Sequence, residues 1–230
     1  MRSIEVIPTN TCPPDFEELA RRSSAFASFA PHIQLDVSDG KFSPVISWPY
    51  QSGQWDELIT KQLPLSERVL YEAHLMIEEP QETGELLIGA GARRIMGHIE
   101  AFTGTDSARG ALEAWRKRGA EAGLAILFHT PLEKIEKAVS ECDVVLMMSI
   151  ATIGKQGASY EPGILERIKT LRNDHPELLI AIDGGVSLEN IADLARAGAS
   201  RFGVGSAISK AEDPKAAYQA LKVAAENALQ

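Results

Sequence analysis

Short apolar runs alternate with longer stretches in which apolar residues recur at helical spacing, and this alternation continues along the whole chain. The runs Ile4 to Pro8, Ile33 to Val37, Val69 to Met76, Arg94 to Ile99, Leu124 to Phe128, Val144 to Ser149, Leu178 to Asp183 and Arg201 to Val204 read as strands. Each is followed by a predicted helix, at about 15–29, 54–62, 81–89, 105–121, 132–141, 162–174, 188–197 and 214–229. Ser187 and Asp213 stand where a short polar side chain would cap the last two helices, and Gly123 and Gly198 where a helix would stop. Eight strand–helix units predict an α/β fold, either an open doubly wound sheet or a closed barrel. The count of eight favours a single (β/α)8 TIM barrel spanning residues 1–230. One longer loop, Ser38 to Gly53, interrupts the rhythm with Pro, Ser and aromatic residues, and Trp48, Tyr50 and Trp55 near it are expected to cover a site, line an interface or pack locally.

Composition narrows the partners. A net charge of -9 leaves no basic footprint for nucleic acid or an anionic membrane surface. A small anionic ligand would need local positive charge or backbone amides. Cys12 and Cys142 are too few and too far apart for a disulfide framework, which fits a reduced, cytoplasmic setting. The segment MRSIEVIPTN lacks the pattern of an export signal, and no apolar run approaches the roughly 18 residues of a membrane span. No GxGxxG follows the first strand, so a nucleotide cofactor is not expected.

In a β/α barrel the chemistry collects at the carboxyl ends of the strands. Gln34 and Asp36 share a face of the second strand, His74 closes the third, His98 and Glu100 share a face at the end of the fourth, and Asp183 ends the seventh. An aspartate before glycine also serves as a turn or cap residue, and His98 taken alone reads as a satisfied core histidine. Glycines recur at three successive strand ends: Gly154 and Gly157 in IGKQG, Gly184 and Gly185 in DGGV, and Gly205 followed by Ser206 in VGSAIS. Glycine lets backbone amides approach an anion, and loops at this end of a barrel commonly hold phosphate. Three tight turns would use the same residues; their coincidence favours phosphate.

These segments resemble the ribulose-phosphate 3-epimerase family. QLDVSDGKFSP is similar to its HxDVMDGxFVP, EAHLMIEEP to VHLMVxxP, GHIEA to FHxEA, AIDGGVSLENI to VDGGVNxxT, and GVGSAISKAEDP to AGSAIFxAxDP. The resemblance implies a barrel of the ribulose-phosphate-binding type that interconverts D-ribulose 5-phosphate and D-xylulose 5-phosphate by proton transfer at C3. Asp36 and Asp183 match the acid–base pair. Asp36, His74 and Asp183 match ligands of a divalent ion such as zinc, manganese or iron, and Gly184, Gly185, Gly205 and Ser206 match phosphate-binding positions. Barrels of this family often form homo-oligomers.

Departures from the pattern matter as much. Gln34 replaces a metal-binding histidine, and an amide oxygen suits hard cations better than zinc. Ser38 replaces a methionine. The sixth loop, MSIATIGKQGASY, is one residue longer than the family's MSVNPGFGGQxF, retains only Gly154 and Gly157, and carries Ala158 near a glutamine position. IPTNT lacks the SxLSAD segment that contributes a serine. A 3-epimerase of this type is the leading expectation. The alternatives are an epimerase of another ketose phosphate, such as a hexulose 6-phosphate, or a phosphosugar-binding barrel without metal or catalysis.

Overall fold

Side chains two apart on a strand point the same way, so closing the strands into a ring gives each set its own surroundings. In the computed structural model, which describes residues 3–51, 53–154 and 157–229, the strands are β1 (Glu5–Asn10), β2 (His32–Ser38), β3 (Leu70–Met76), β4 (Ala92–His98), β5 (Glu121–Ile126), β6 (Val144–Met148), β7 (Leu179–Asp183) and β8 (Arg201–Val204). All pair in parallel in sequence order, and β1 closes on β8, making a (β/α)8 TIM barrel rather than an open sheet. The outward set, including Ile33, Leu35 and Val37 of β2 and Ile180 and Ile182 of β7, packs with the helices into the main apolar core. A smaller cluster of Met96, Ala125, Leu146 and Ala181 fills the middle of the barrel.

The helices are α1 (Phe16–Phe26), α2 (Trp55–Thr60), α3 (Pro80–Gly89), α4 (Thr105–Lys117), α5 (Glu133–Glu136), α6 (Ile164–Asp174), α7 (Ile191–Ala197), α8 (Ser206–Ser209) and α9 (Pro214–Asn227). In α4 the buried residues Ala108, Ala111, Leu112 and Trp115 fall at the three- and four-residue spacing of one helix face. Burying the Leu112 side chain alone stabilises by about 1.5–3 kcal/mol. Asp213 caps α9 as expected, accepting from Ala216 N at 2.9 Å, and Asp15 caps α1 through Glu18 N at 2.8 Å.

Several boundaries differ from expectation. α4 stops at Lys117 because Gly119, at φ 87°, takes the left-handed turn. Gly123 is a strand residue, where a Cβ would lie 2.4 Å from the Val144 carbonyl oxygen. β5 therefore starts at Glu121, three residues early. Ser187 does not cap α7 directly: its hydroxyl accepts from Glu189 N within a turn, and the helix starts at Ile191. The expected helix at 132–141 divides into α5 and a 3-10 turn at Val139–Glu141, and α8 was not anticipated. Trp48 is fully buried against Phe16 with ring centroids 5.7 Å apart, and Tyr50 packs on Trp55 at 4.8 Å, so these aromatics pack within the chain.

The amino-terminal end of the barrel is closed by charge. Arg94 Nη1 donates to Glu5 Oε2 at 2.6 Å and lies 3.6 Å from Glu72 Oε2, while Arg201 bonds Glu121. Burial pushes the Glu72 carboxyl up to about 7, outweighing the attraction of Arg94 and Arg201.

Candidate active site

The opposite end gathers the polar residues expected at the strand ends. Gln34, Asp36, His74, His98 and Asp183 all belong to the inward set, and all are buried. The Gln34 amide nitrogen donates to Asp36 Oδ1 at 2.9 Å and to Asp183 Oδ2 at 2.7 Å. His74 Nδ1 sits 3.2 Å from each of those same two oxygens. One side-chain atom from each of four residues thus converges on a single point. Space for this comes from Gly203, where a Cβ would lie 2.6 Å from Gln34 Oε1 and 3.3 Å from Asp183 Cγ.

The electrostatics follow from burial and proximity. Burial and the nearby Asp183 charge raise the Asp36 carboxyl, opposed by His74 and Gln34. Burial alone would lower His74, but hydrogen bonds to Asp183 and Asp36 hold it up, at about 9. His98 Nε2 lies 2.9 Å from His74 Nε2, and His98 Nδ1 lies 3.3 Å from Glu100 Oε2. Burial lowers His98 to about 4 despite Glu100. Sequence reasoning left His98 as an isolated core residue; its place two positions beyond Met96 on β4 was the signal that it faces inward.

A cavity above the centre is lined by Asp36 and Asp183. Gly154, Gly157, Gly184, Gly185, Gly205 and Ser206 line the same cavity, so the glycine loops and the carboxylates meet as their strand-end positions implied. Lys155 and Gln156 of the sixth-loop motif lie outside the described residues. Gly184 has φ 106°, and a Cβ there would meet Ile150 at 2.7 Å, so this turn excludes larger residues. Met76, Met148, Ile150 and Ile153 form an apolar cluster with Phe42 and Ala158 packed against it. Thr9 on β1 was missed. It lines the cavity with a buried hydroxyl that has no hydrogen-bond partner among the described residues, so this strand end offers a hydroxyl even without the SxLSAD segment.

The donor set fits a divalent cation. Asp36, His74 and Asp183 present ligand atoms all within 4.8 Å of one another. Gln34 Oε1 is buried without a partner among the described residues, and turning the amide over would direct that oxygen at the same point. The result is three oxygens and one imidazole nitrogen.

Fold and centre together define a β/α barrel with a carboxylate–histidine centre beneath a glycine-lined cavity, at the end of the barrel where the active sites of such enzymes form. The sequence matches the Ribulose-phosphate 3 epimerase family over residues 7–209, and the chain belongs to that family. It is 33% identical over 214 residues to the ribulose-phosphate 3-epimerase of Mycobacterium leprae, covering 90% of this chain and 89% of the relative. It is 34% identical over 194 residues to that of Aquifex aeolicus, covering 83% and 82%. The protein is thus an isomerase of the epimerase class. Among solved structures, 3-keto-L-gulonate-6-phosphate decarboxylase from Vibrio cholerae superposes with a TM-score of 0.71 at 13% identity, covering 99% of each chain. 3-Hexulose-6-phosphate synthase from Salmonella typhimurium gives 0.68 at 15% identity, covering 98% of this chain and 100% of that one. At such identities these two share the fold alone. Among the described residues no helix is long and apolar enough to cross a membrane.

Proposed function

We propose that the protein interconverts D-ribulose 5-phosphate and D-xylulose 5-phosphate by moving a proton at C3, with Asp36 and Asp183 as the acid–base pair. The observation that carries this is the pair itself: two buried carboxylates held by one amide, opening on a cavity lined by glycines from three loops. A hydrogen on carbon beside a carbonyl is a weak acid, so its removal needs a positioned base and stabilisation of the oxygen that gains charge. Burial and the neighbouring negative charge raise the Asp36 carboxyl, which favours its holding a proton. One aspartate then accepts the C3 proton while the other supplies a proton to the opposite face. Amides of Gly154, Gly157, Gly184, Gly185 and Gly205, with the Ser206 hydroxyl, would hold the phosphate, which lets a chain of net charge -9 bind an anion. Met76 and Met148 supply apolar surface that excludes water.

Asp36, His74, Asp183 and Gln34 would hold a divalent cation, which when bound supplies a Lewis acid beside the developing enediolate oxygen. The Gln34 oxygen favours manganese or iron(II) over zinc. Ala158, lining the cavity where the family has a larger polar residue, favours a second reading in which the substrate is a longer ketose phosphate. The chain would act as a single barrel domain in the cytoplasm, with a sugar phosphate as its partner.

The test is a coupled assay of metal-stripped protein with D-ribulose 5-phosphate, with manganese, iron(II) or zinc added back in turn. Turnover restored by one ion supports the reaction and the cation together. Failure with every ion, alongside turnover of a hexulose 6-phosphate, transfers the reading to the longer sugar; failure with both overturns it.

A further inference from the structure

The contacts of His74 continue away from the cavity in a line that the proposed reaction does not use. His74 Nε2 meets His98 Nε2 at 2.9 Å, and His98 Nδ1 meets Glu100 Oε2 at 3.3 Å. Both imidazoles are fully buried, with ring centroids 5.0 Å apart, and Phe42 packs on His98 at 4.8 Å. Glu100 is held in turn, because its Oε1 accepts from Leu127 N at 2.9 Å and the Thr130 hydroxyl also bonds it.

With a cation on His74 Nδ1 and both rings neutral, only one order of protons satisfies every contact. A carboxylate only accepts, so the Nδ1 of His98 must carry a hydrogen to donate to Glu100. Neutral His98 then has a bare Nε2, which can only accept. The hydrogen between the two rings therefore sits on His74 Nε2, and a cation takes the place of the Nδ1 hydrogen that otherwise faces Asp36 and Asp183. We infer that Glu100 and His98 are positioning residues that keep a hydrogen on His74 Nε2, so that Nδ1 is the nitrogen that gives up its hydrogen to a cation held with the two aspartates. The direction is set from the rim of the barrel inward, by a residue whose side chain is 20% exposed, onto a nitrogen that solvent does not reach. A histidine ligand fixed by a carboxylate through one hydrogen bond is a common arrangement; here the carboxylate acts through a second imidazole.

The inference rests on the reading of Asp36, His74 and Asp183 as cation ligands only for its affinity arm, and the experiment separates the two. Nitrogen NMR of 15N-histidine-labelled protein, without cation and with zinc, reads which ring nitrogen of His98 is protonated. The expected result is Nδ1–H with an accepting Nε2 in both states. In Glu100→Leu the His98 proton should move to Nε2, and calorimetric affinity for manganese and zinc should fall by about 10- to 100-fold. Glu100→Gln retains an accepting oxygen and should restore both the tautomer and most of the affinity, which loss of packing alone would not do. A wild-type His98 protonated at Nε2 overturns the inference whether or not the variants fold. So does a folded Glu100→Leu protein with unchanged tautomer and affinity. Wild type showing the expected tautomer but no cation binding would leave the proton order standing and remove the cation from the proposed function.

Discussion

Gln34 and Asp183, 149 positions apart in sequence, are joined by a 2.7 Å hydrogen bond in which the amide donates to the carboxylate, and the same nitrogen reaches Asp36. A neutral side chain therefore binds together the two groups on which the reaction would depend. Replacing it with Leu leaves two buried carboxylates short of a donor, at a cost of about 1–3 kcal/mol or more. Urea unfolding of Gln34→Leu should show this loss. Gln34→His should instead exchange an oxygen donor for a nitrogen and raise zinc affinity relative to manganese, as read by calorimetry.

Asp183→Asn keeps the shape of the centre and removes a proton acceptor. Epimerisation should fall by about 10²- to 10⁴-fold. Binding of inorganic phosphate, followed by its protection against thermal unfolding, should barely change. Gly205→Val should do the reverse, weakening phosphate binding first because a side chain would occupy the cavity wall.

Gly203→Ala tests the tight fit behind the carboxylates. The new Cβ would stand 2.6 Å from Gln34 Oε1, so the amide must move. Overpacking of this kind costs about 1–3 kcal/mol. Activity should drop further than that stability loss explains, since Gln34 can no longer reach both aspartates. A variant that keeps wild-type turnover would show the bridge to be dispensable.

Acid stability should depend on Glu5. Burial would raise its carboxyl, but hydrogen bonds from His32 and Arg94 and the charge of Arg201 hold it far below the glutamate range. A depressed folded-state value contributes stability that is complete above the unfolded value of about 4.3 and is lost as pH falls below it. The thermal midpoint should therefore decline steeply in acid, and Glu5→Gln should flatten that decline while lowering stability near pH 7.

The strand runs and the strand-end residues were legible because apolar alternation and glycine turns are local signals. Asp36, His74 and Asp183 converge as their positions implied. What sequence did not reveal depends on closure. Glu5, Glu72, Arg94, Glu121 and Arg201 look like ordinary solvated charges until the ring brings them together at one end. His98 reads as an isolated residue because its partner, His74, lies on the neighbouring strand 24 positions earlier. Gly123 reads as the helix stop, whereas Gly119 takes the left-handed turn and Gly123 lies in the strand, because only backbone geometry separates a turn from a close approach.

The inward and outward sets of each strand answer to different demands. On β2, Leu35 and Val37 hold the helices while Gln34 and Asp36, their immediate neighbours, hold the chemistry. A substitution at an inward position such as Gln34 leaves the main hydrophobic core untouched, so the donor set of the centre can change without unfolding the scaffold. Neighbours in the chain thus answer to separate constraints, and new chemistry in such a barrel needs only every other residue.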